Sequence, residues 1–415
     1  NIIFIYMKIL WFSNCRLSNN STKASGTWLY TMADNLHDKF NLVNITEDRV
    51  KDVIREKYKN VEQYVIPFYP TLNNGLPKKK NISIIVDIVN KIQPDIIHVW
   101  GMEKYWGLLA TNGYLKGSLL LEIQGIRQSC AEVFDAGMSL GDLIKSFRLK
   151  ELLRPSISIL GVKRKHYNWT RYEHEMLSYF KHINTQSDWV RNRIYPYVCN
   201  ESRIYKTAIS VRKDFLECEK WDIKKTEEAT VFCITTSASS LRGFHNVIKA
   251  IALVKKKIPK VKLILAGDFE QKRLSWRKSG YVKYLENLIK KNRLQDNIQF
   301  VGRLDASQMV SYLQKSRIFV QSSYVESYSL ALAEALCVGV PSIVSFAGAM
   351  PEISEGVCMY YSPNDYVVCA SYIIELLENE EKSQHLSKVE LALKKIRISG
   401  EEVAEIQMSI YNSIY

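Results

Sequence analysis

The run Ile318-Phe-Val-Gln-Ser-Ser-Tyr-Val-Glu326-Ser-Tyr-Ser-Leu-Ala-Leu-Ala-Glu334-Ala-Leu-Cys-Val-Gly339-Val-Pro341-Ser-Ile-Val-Ser345 contains a complete βαβ unit. Two short apolar segments, Ile318–Gln321 and Ser342–Ser345, read as strands, and the helical pattern over about 329–338 between them is stopped by the breakers Gly339 and Pro341. Strands joined through a helix run parallel, so this stretch points to an α/β fold. The same rhythm extends upstream, with strands expected at Val231–Thr235, Val261–Ala266 and Ile298–Val301 and helices at about 244–256, 279–292 and 305–315. The first half repeats it less regularly, with strands at about 7–13, 40–46, 95–100 and 118–124 and helices at about 26–38, 81–92 and 103–113.

The chain is 415 residues long, about twice a usual domain, and its 47% hydrophobic and 24% charged residues are those of a folded globular protein. Between about 206 and 229 the strand-helix rhythm gives way to a charge-rich segment, which places a junction there. The expected architecture is α/β, two Rossmann-like doubly wound domains facing across a cleft: residues 1–206, then 207–400, with a helix over about 401–415 returning to the first. Ligands of open α/β sheets bind beyond the carboxyl ends of the strands, so chemistry is sought in the loops that follow them.

Lysine and arginine number 57 against 43 aspartates and glutamates, a net charge of +14 that favours anionic partners. The cysteines at positions 15, 130, 199, 218, 233, 337, 358 and 369 form no C-x-x-C pair and no zinc-spaced cluster, as expected of a reduced, cytoplasmic protein. The apolar stretch Ile2–Phe12 carries Lys8, is too short to span a bilayer and lacks a signal-peptide pattern, so it reads as a first buried strand. Residues 1–6 read as an addition upstream of a natural start at Met7.

Two carboxylates stand out. Glu334 lies among Leu330, Ala331, Leu332, Ala333, Ala335 and Leu336, on a helix too apolar to be exposed all round, where it either reaches solvent or a lysine or serves a ligand. Glu326 precedes the Ser327–Leu330 amides that open that helix, and such amides, with the positive dipole end, suit a phosphate.

The Glu326-x7-Glu334 spacing resembles the signature of the family 4 glycosyltransferases, which have the GT-B fold. Arg242-Gly243-Phe-His-Asn-Val-Ile-Lys-Ala, Pro259-Lys-Val-Lys-Leu-Ile-Leu-Ala-Gly267, Ile298-Gln-Phe-Val-Gly302-Arg-Leu and Gly339-Val-Pro-Ser-Ile-Val-Ser-Phe-Ala-Gly-Ala-Met-Pro-Glu352-Ile resemble the family's elements in order. In the first half, Met7-Lys-Ile-Leu-Trp-Phe-Ser, Pro94-Asp-Ile-Ile-His98 and Thr185-Gln-Ser-Asp188-Trp189 are similar to a bacterial surface-polysaccharide branch.

The resemblance implies a hexosyl-type transferase moving sugar from a nucleotide-sugar held by the second domain to a saccharide or lipid-linked saccharide acceptor held by the first, with retention and without a metal or other cofactor. It casts Arg242 and the amides of Ser327, Tyr328, Ser329 and Leu330 on the diphosphate, Glu326 on the donor sugar and Glu334 on the ribose. Gly267, Gly302 and Arg303 would flank the base. The chain has no D-x-D metal clamp, no G-x-G-x-x-G and no Walker loop.

It departs from the family pattern at Ser237, where an arginine is usual, at Arg242, where a lysine is usual, and at Gln124-Gly125, where many members have a histidine. His98 is a substitute acceptor-side candidate beside Gln124 and Gly125, with a satisfied structural histidine as the other reading. Such departures also fit a catalytically silent scaffold that binds nucleotide-sugar or a partner.

Residues 139–172 hold Lys145, Arg148, Lys150, Arg154, Lys163, Arg164, Lys165 and Arg171 against Asp142 and Glu151, with leucines and isoleucines interleaved. This segment reads either as a solvated basic face or as an interfacial element meeting anionic lipid, which would make the protein peripheral on the cytoplasmic face of a membrane. A basic membrane- or polyanion-binding protein is therefore a further alternative. The runs Lys78–Lys80 and Lys255–Lys257 read as solvated surface, and no nucleic-acid partner is expected.

Overall fold

The computed structural model describes residues 7–18 and 26–415, so the proposed upstream addition at 1–6 lies outside the described residues. The chain divides into two units: one formed by the residues up to Arg127 with Asn168–Ser210 and Ile398–Tyr415, the other by Gln128–Tyr167 with Val211–Arg397.

Among the described residues, the first unit has an eight-stranded sheet. Its strands are β1 (Lys8–Phe12), β2 (Asn41–Asp48), β3 (Ile54–Tyr58), β4 (Val61–Pro67), β5 (Ile96–Trp100), β6 (Ser118–Glu122), β7 (His182–Thr185) and β8 (Arg203–Lys206). Their order across the sheet is β3-β4-β2-β1-β5-β6-β7-β8, parallel except for β3, which pairs antiparallel to β4. Strand alternation divides the core. Leu10 and Phe12 of β1 face a cluster with Ile82, Ile85, Trp106 and Met176, whereas Ile9 and Trp11 face one with Leu29, Ala33, Val403 and Tyr411. The helix Lys79–Ile92 shows why the amphipathic segments form where they do: Ile82, Ile85, Ile88, Val89 and Ile92 make one buried stripe, and Gln93, in the left-handed region before Pro94, ends it. On the other face, the helix Gly400–Ile414 packs against Thr27–Leu36.

The second unit has a six-stranded, all-parallel sheet among the described residues: β9 (Thr230–Ser237), β10 (Lys262–Asp268), β11 (Ile298–Gly302), β12 (Ile318–Gln321), β13 (Ser342–Ser345) and β14 (Met359–Tyr361). The order β11-β10-β9-β12-β13-β14 reverses direction between β9 and β12, and that switch point is where an open parallel sheet leaves room for a ligand.

The α/β expectation is met in both units. Two features differ from the sequence reading. The hairpin β3–β4, with the strands β7, β8 and β14, was not anticipated. Residues 128–167, expected in the first domain, group with the second unit, because Phe134, Met138, Leu143 and Ile159 enter the same core as Phe244, Val247 and Tyr281.

Candidate functional site

At the end of β9 the chain makes a tight turn, Ser240–Arg242, into the helix Phe244–Lys257. Gly243 joins them with φ +67°, and a Cβ there would lie 2.1 Å from the Ser322 carbonyl oxygen, so glycine is required for this turn to lie against the end of β12. Ser322 Oγ donates to the Arg242 carbonyl at 2.6 Å and the Tyr324 amide to the Leu241 carbonyl at 2.8 Å, closing the contact. The arrangement brings Arg242 onto Glu326, whose Oε1 accepts from the guanidinium, from Ser323 Oγ (2.7 Å) and from Gln321 Nε2 (3.3 Å). Gly348 (φ +59°) lets the loop after β13 press on the Glu326 backbone, and the Ala349 amide donates to the Glu326 carbonyl at 2.9 Å.

Immediately downstream the helix Leu330–Val338 begins. Its N-cap, Ser329, is a non-glycine residue at φ 77°, ψ 72°, a strained conformation, and its Oγ is buried without a hydrogen-bond partner. The first amides of a helix have no intrahelical acceptor, and this helix starts four residues after Glu326. Gly267 ends β10 at φ +126°, where a Cβ would meet the Thr235 carbonyl oxygen at 2.1 Å. Gly302 ends β11 over open space, and Arg303 beside it pairs with Asp268 at 3.3 Å. Arg242, Glu326, Ser327, Tyr328, Ser329, Leu330, Gly267, Gly302 and Arg303 thus all lie at or beyond the carboxyl ends of β9 to β12.

Glu334 lies one turn into the same helix and is 2% exposed. Its partner is not a lysine and not solvent: Arg212, which precedes the short helix Lys213–Glu217, donates Nε to Oε1 at 2.6 Å and Nη2 to Oε2 at 2.8 Å. Loss of hydration raises the Glu334 pKa above its ordinary value, with the Arg212 hydrogen bonds and charge opposing. Nothing in the spacing of the sequence pointed to Arg212.

In the first unit the structure corrects one expectation. His98, on β5, is wholly buried: its ring stacks on Trp100 at 4.0 Å, and its Nδ1 lies 2.8 Å from the Tyr411 hydroxyl of the C-terminal helix. Burial lowers its pKa, opposed by Glu122, whose carboxylate is 3.6 Å from Nε2. Its Nε2 makes no hydrogen bond, and the whole side chain is enclosed, so it is not exposed to an acceptor in this structure. Gln124 and Gly125 do lie beyond the end of β6, and a residue missed in the sequence joins them. Cβ atoms built on Gly101 and Gly125 would lie 2.1 and 2.8 Å from the Glu103 carboxylate oxygens, so both glycines make room for it. Its Oε2 is buried with no hydrogen-bond partner, and desolvation raises its pKa to about 7. The available signal was a carboxylate three residues past a strand end, Gly101-Met-Glu103.

Residues 217–390 match the family described as glycosyl transferases group 1. Over 335 residues the chain is 23% identical to N-acetyl-alpha-D-glucosaminyl L-malate synthase of Bacillus anthracis, covering 79% of this chain and 76% of that one. An O-antigen chain mannosyltransferase B of Escherichia coli is 23% identical, with 50% and 54% covered. Among solved structures, sucrose-phosphate synthase from Thermosynechococcus elongatus superposes with TM-score 0.72 at 15% identity, covering 98% of this chain and 99% of that one. Anabaena Alr3699/HepE, in complex with UDP-glucose, gives 0.67 at 15% identity, with 98% and 99% covered.

The fold is GT-B, and residues 217–390 carry the match to glycosyl transferases group 1. The matched span lies inside the second unit and contains Arg242, Gly267, Gly302, Arg303 and the Glu326–Glu334 segment. Arg212 lies five residues upstream of the span.

Proposed function

We propose that this glycosyltransferase binds the nucleotide diphosphate of its sugar donor at the carboxyl ends of β9 and β12 and transfers the sugar to a saccharide acceptor bound by the first unit. The observation that carries the reading is the Arg242–Glu326 pair set beside the start of the helix Leu330–Val338 at the switch point.

The chemistry follows from the charges. The bond from the anomeric carbon to the diphosphate oxygen breaks while the acceptor oxygen bonds to that carbon, and the acceptor hydroxyl's proton passes to the departing phosphate oxygen on the same face, so configuration is retained. Negative charge grows on the diphosphate as the bond breaks. Arg242 and the Ser327–Leu330 amides supply fixed positive potential there. Glu326 orients the guanidinium and meets the donor sugar, and Glu334, held by Arg212, accepts the ribose hydroxyls. Gly267, Gly302 and Arg303 border the base.

With arginine and amides filling the role of a cation, and with no D-x-D pair in the sequence, the reaction is metal-independent and needs no cofactor. In the first unit, the unpartnered Glu103 oxygen beside Gln124-Gly125 hydrogen-bonds an acceptor hydroxyl. The O-antigen names among the relatives support a surface polysaccharide as the product class, and UDP-glucose in the Anabaena structure makes UDP-sugars the first donors to test.

A thermal-shift screen of UDP, GDP and ADP sugars tests this, because a ligand that binds only the native state stabilises it. The expected result is a shift selective for one base, diminished in both Arg242→Ala and Glu334→Ala. A shift unchanged in Arg242→Ala would move the donor elsewhere, and donor binding without transfer to any acceptor would make the protein a silent scaffold.

A further inference from the structure

In a soluble helix, leucines face the core and carboxylates face water. Two short helices of the second unit reverse this. In Leu140–Lys145, Leu143 is buried, while Leu140 and Ile144, one turn apart, are 73% and 63% exposed. In Leu149–Leu153, Glu151 is the buried residue: its Oε1 accepts from the Gly280 amide at 2.9 Å. Leu149, Leu152 and Leu153 face outward at 64–75% exposure. Ile157 and Leu160 continue the exposed series.

The two acids of the segment are turned inward or paired: Ser139 Oγ caps the helix by accepting from the Asp142 amide at 3.1 Å, and the Asp142 carboxylate lies 3.8 Å from Lys249. Lys145, Arg154, Arg164 and Lys165 remain exposed around the leucines. A second segment, more than 120 residues away in sequence, extends the face. The Arg148 guanidinium donates to the Ser275 carbonyl and Lys150 Nζ to the Arg277 carbonyl, which brings in Leu274 and Trp276, 61% and 64% exposed, with Lys272, Arg273 and Arg277 beside them.

We infer that this face of the second unit, built from 140–160 and 274–277, docks the protein on an anionic lipid bilayer. Exposed leucines and a tryptophan ringed by lysine and arginine match the two layers of such a surface: acyl chains take the apolar side chains, and the negative headgroups pair with the cations. Among the described residues no helix is long and apolar enough to cross a membrane, so the mode is interfacial. The inference stands apart from the donor site, since the face and the switch point share no residue.

The test is flotation of the full chain with phosphatidylcholine vesicles and with vesicles containing phosphatidylglycerol. The protein should float with the anionic vesicles and lose partition in high salt. Leu149→Ser/Leu152→Ser/Leu153→Ser should lower the partition coefficient by about tenfold per side chain, and Trp276→Ser should lower it as well. Arg154→Gln/Arg164→Gln/Lys165→Gln should lower it about fivefold per charge on anionic vesicles only. These side chains are exposed, so nucleotide-induced thermal shifts of the variants should match the wild type and confirm folding. Absence of flotation, or flotation undiminished in the leucine variant, overturns the proposal. So does a concentration-dependent dimer that the leucine variant abolishes without any vesicle binding, which would assign the face to a second copy of the chain.

Discussion

Replacing Arg212 with methionine keeps most of the side-chain volume and removes the charge that holds Glu334. The native pair is bidentate, with contacts of 2.6 and 2.8 Å, and the two side chains are 19% and 2% exposed. Breaking a fully buried pair by removing one member costs about 3–5 kcal/mol, because the other charge stays behind without compensation. Arg212 retains some contact with water, so about 2–4 kcal/mol is expected, which for a unit of this size lowers Tm by about 5–10 °C. The loss depends on pH with a definite sign. The Glu334 pKa already lies above its ordinary 4.5 through desolvation, and losing the guanidinium raises it further. An acid raised in the native state contributes stability that is present below its ordinary value and lost as pH rises through its native value. The deficit of Arg212→Met against the wild type should therefore be smallest below the ordinary carboxylate value of 4.5 and grow as pH rises above it. Replacing both partners, as Arg212→Met/Glu334→Gln, should restore most of the stability, since the buried charge is gone. Thermal unfolding of the four proteins of the cycle, followed across pH, measures all of this. A deficit independent of pH, or a double variant as unstable as the sum of the singles, would refute the pairing argument.

Arg242→Ala and Glu326→Gln should each lower the transfer rate by at least about a hundredfold while leaving a folded protein, as steady-state kinetics beside circular dichroism would record. If Glu103 receives the acceptor hydroxyl through its ionised form, kcat/KM should rise with pH through about 7, and Glu103→Gln should flatten that rise. His245 is buried between the Tyr281 hydroxyl at 3.0 Å and the Ala136 carbonyl at 3.1 Å, and desolvation lowers its pKa to about 4. A depressed histidine stabilises above its unfolded value and loses that contribution as pH falls, so Tm should drop between about pH 6.5 and 4, a trend that His245→Gln should weaken. Transfer by the wild type should be unchanged by a chelator, and a requirement for added manganese would show that Arg242 and the amides do not suffice.

The parts of the fold that could be read from the sequence are those whose burial is continuous. The strands β9, β10, β12 and β13 are near-unbroken apolar runs because helices cover both faces of a parallel sheet, and Gly339 and Pro341 marked where a helix stopped. The hairpin escaped because β3, Ile54-Arg-Glu-Lys-Tyr58, is an edge strand whose charged side chains face water. The allegiance of 128–167 rests on a few inward contacts, chiefly Leu143 and Glu151, that helical periodicity in a basic, leucine-rich segment could not reveal.

The site divides in the same way. Arg242, Glu326 and the Ser327–Leu330 amides were legible because each belongs to a loop leaving a strand, and a parallel sheet gathers the carboxyl ends of its strands on one edge whatever the intervening sequence. Arg212 and His98 were not, because their states are set by partners 122 and 313 residues away: Glu334 on a buried helix and Tyr411 on the last one. For both residues the decisive quantity is desolvation, which no local pattern encodes. A histidine in an apolar strand looks the same whether water or a tyrosine covers it, and a glutamate in an apolar helix looks the same whether it awaits a ribose or already holds a guanidinium. Glu334 does hold one, and this constrains its proposed role. With one lone pair on each oxygen directed at Arg212, it can receive ribose hydroxyls only on the lone pairs that remain, in an orientation that Arg212 fixes. Under that proposed role Arg212 is a positioning residue for the donor, one that the spacing of the two glutamates alone would never have named.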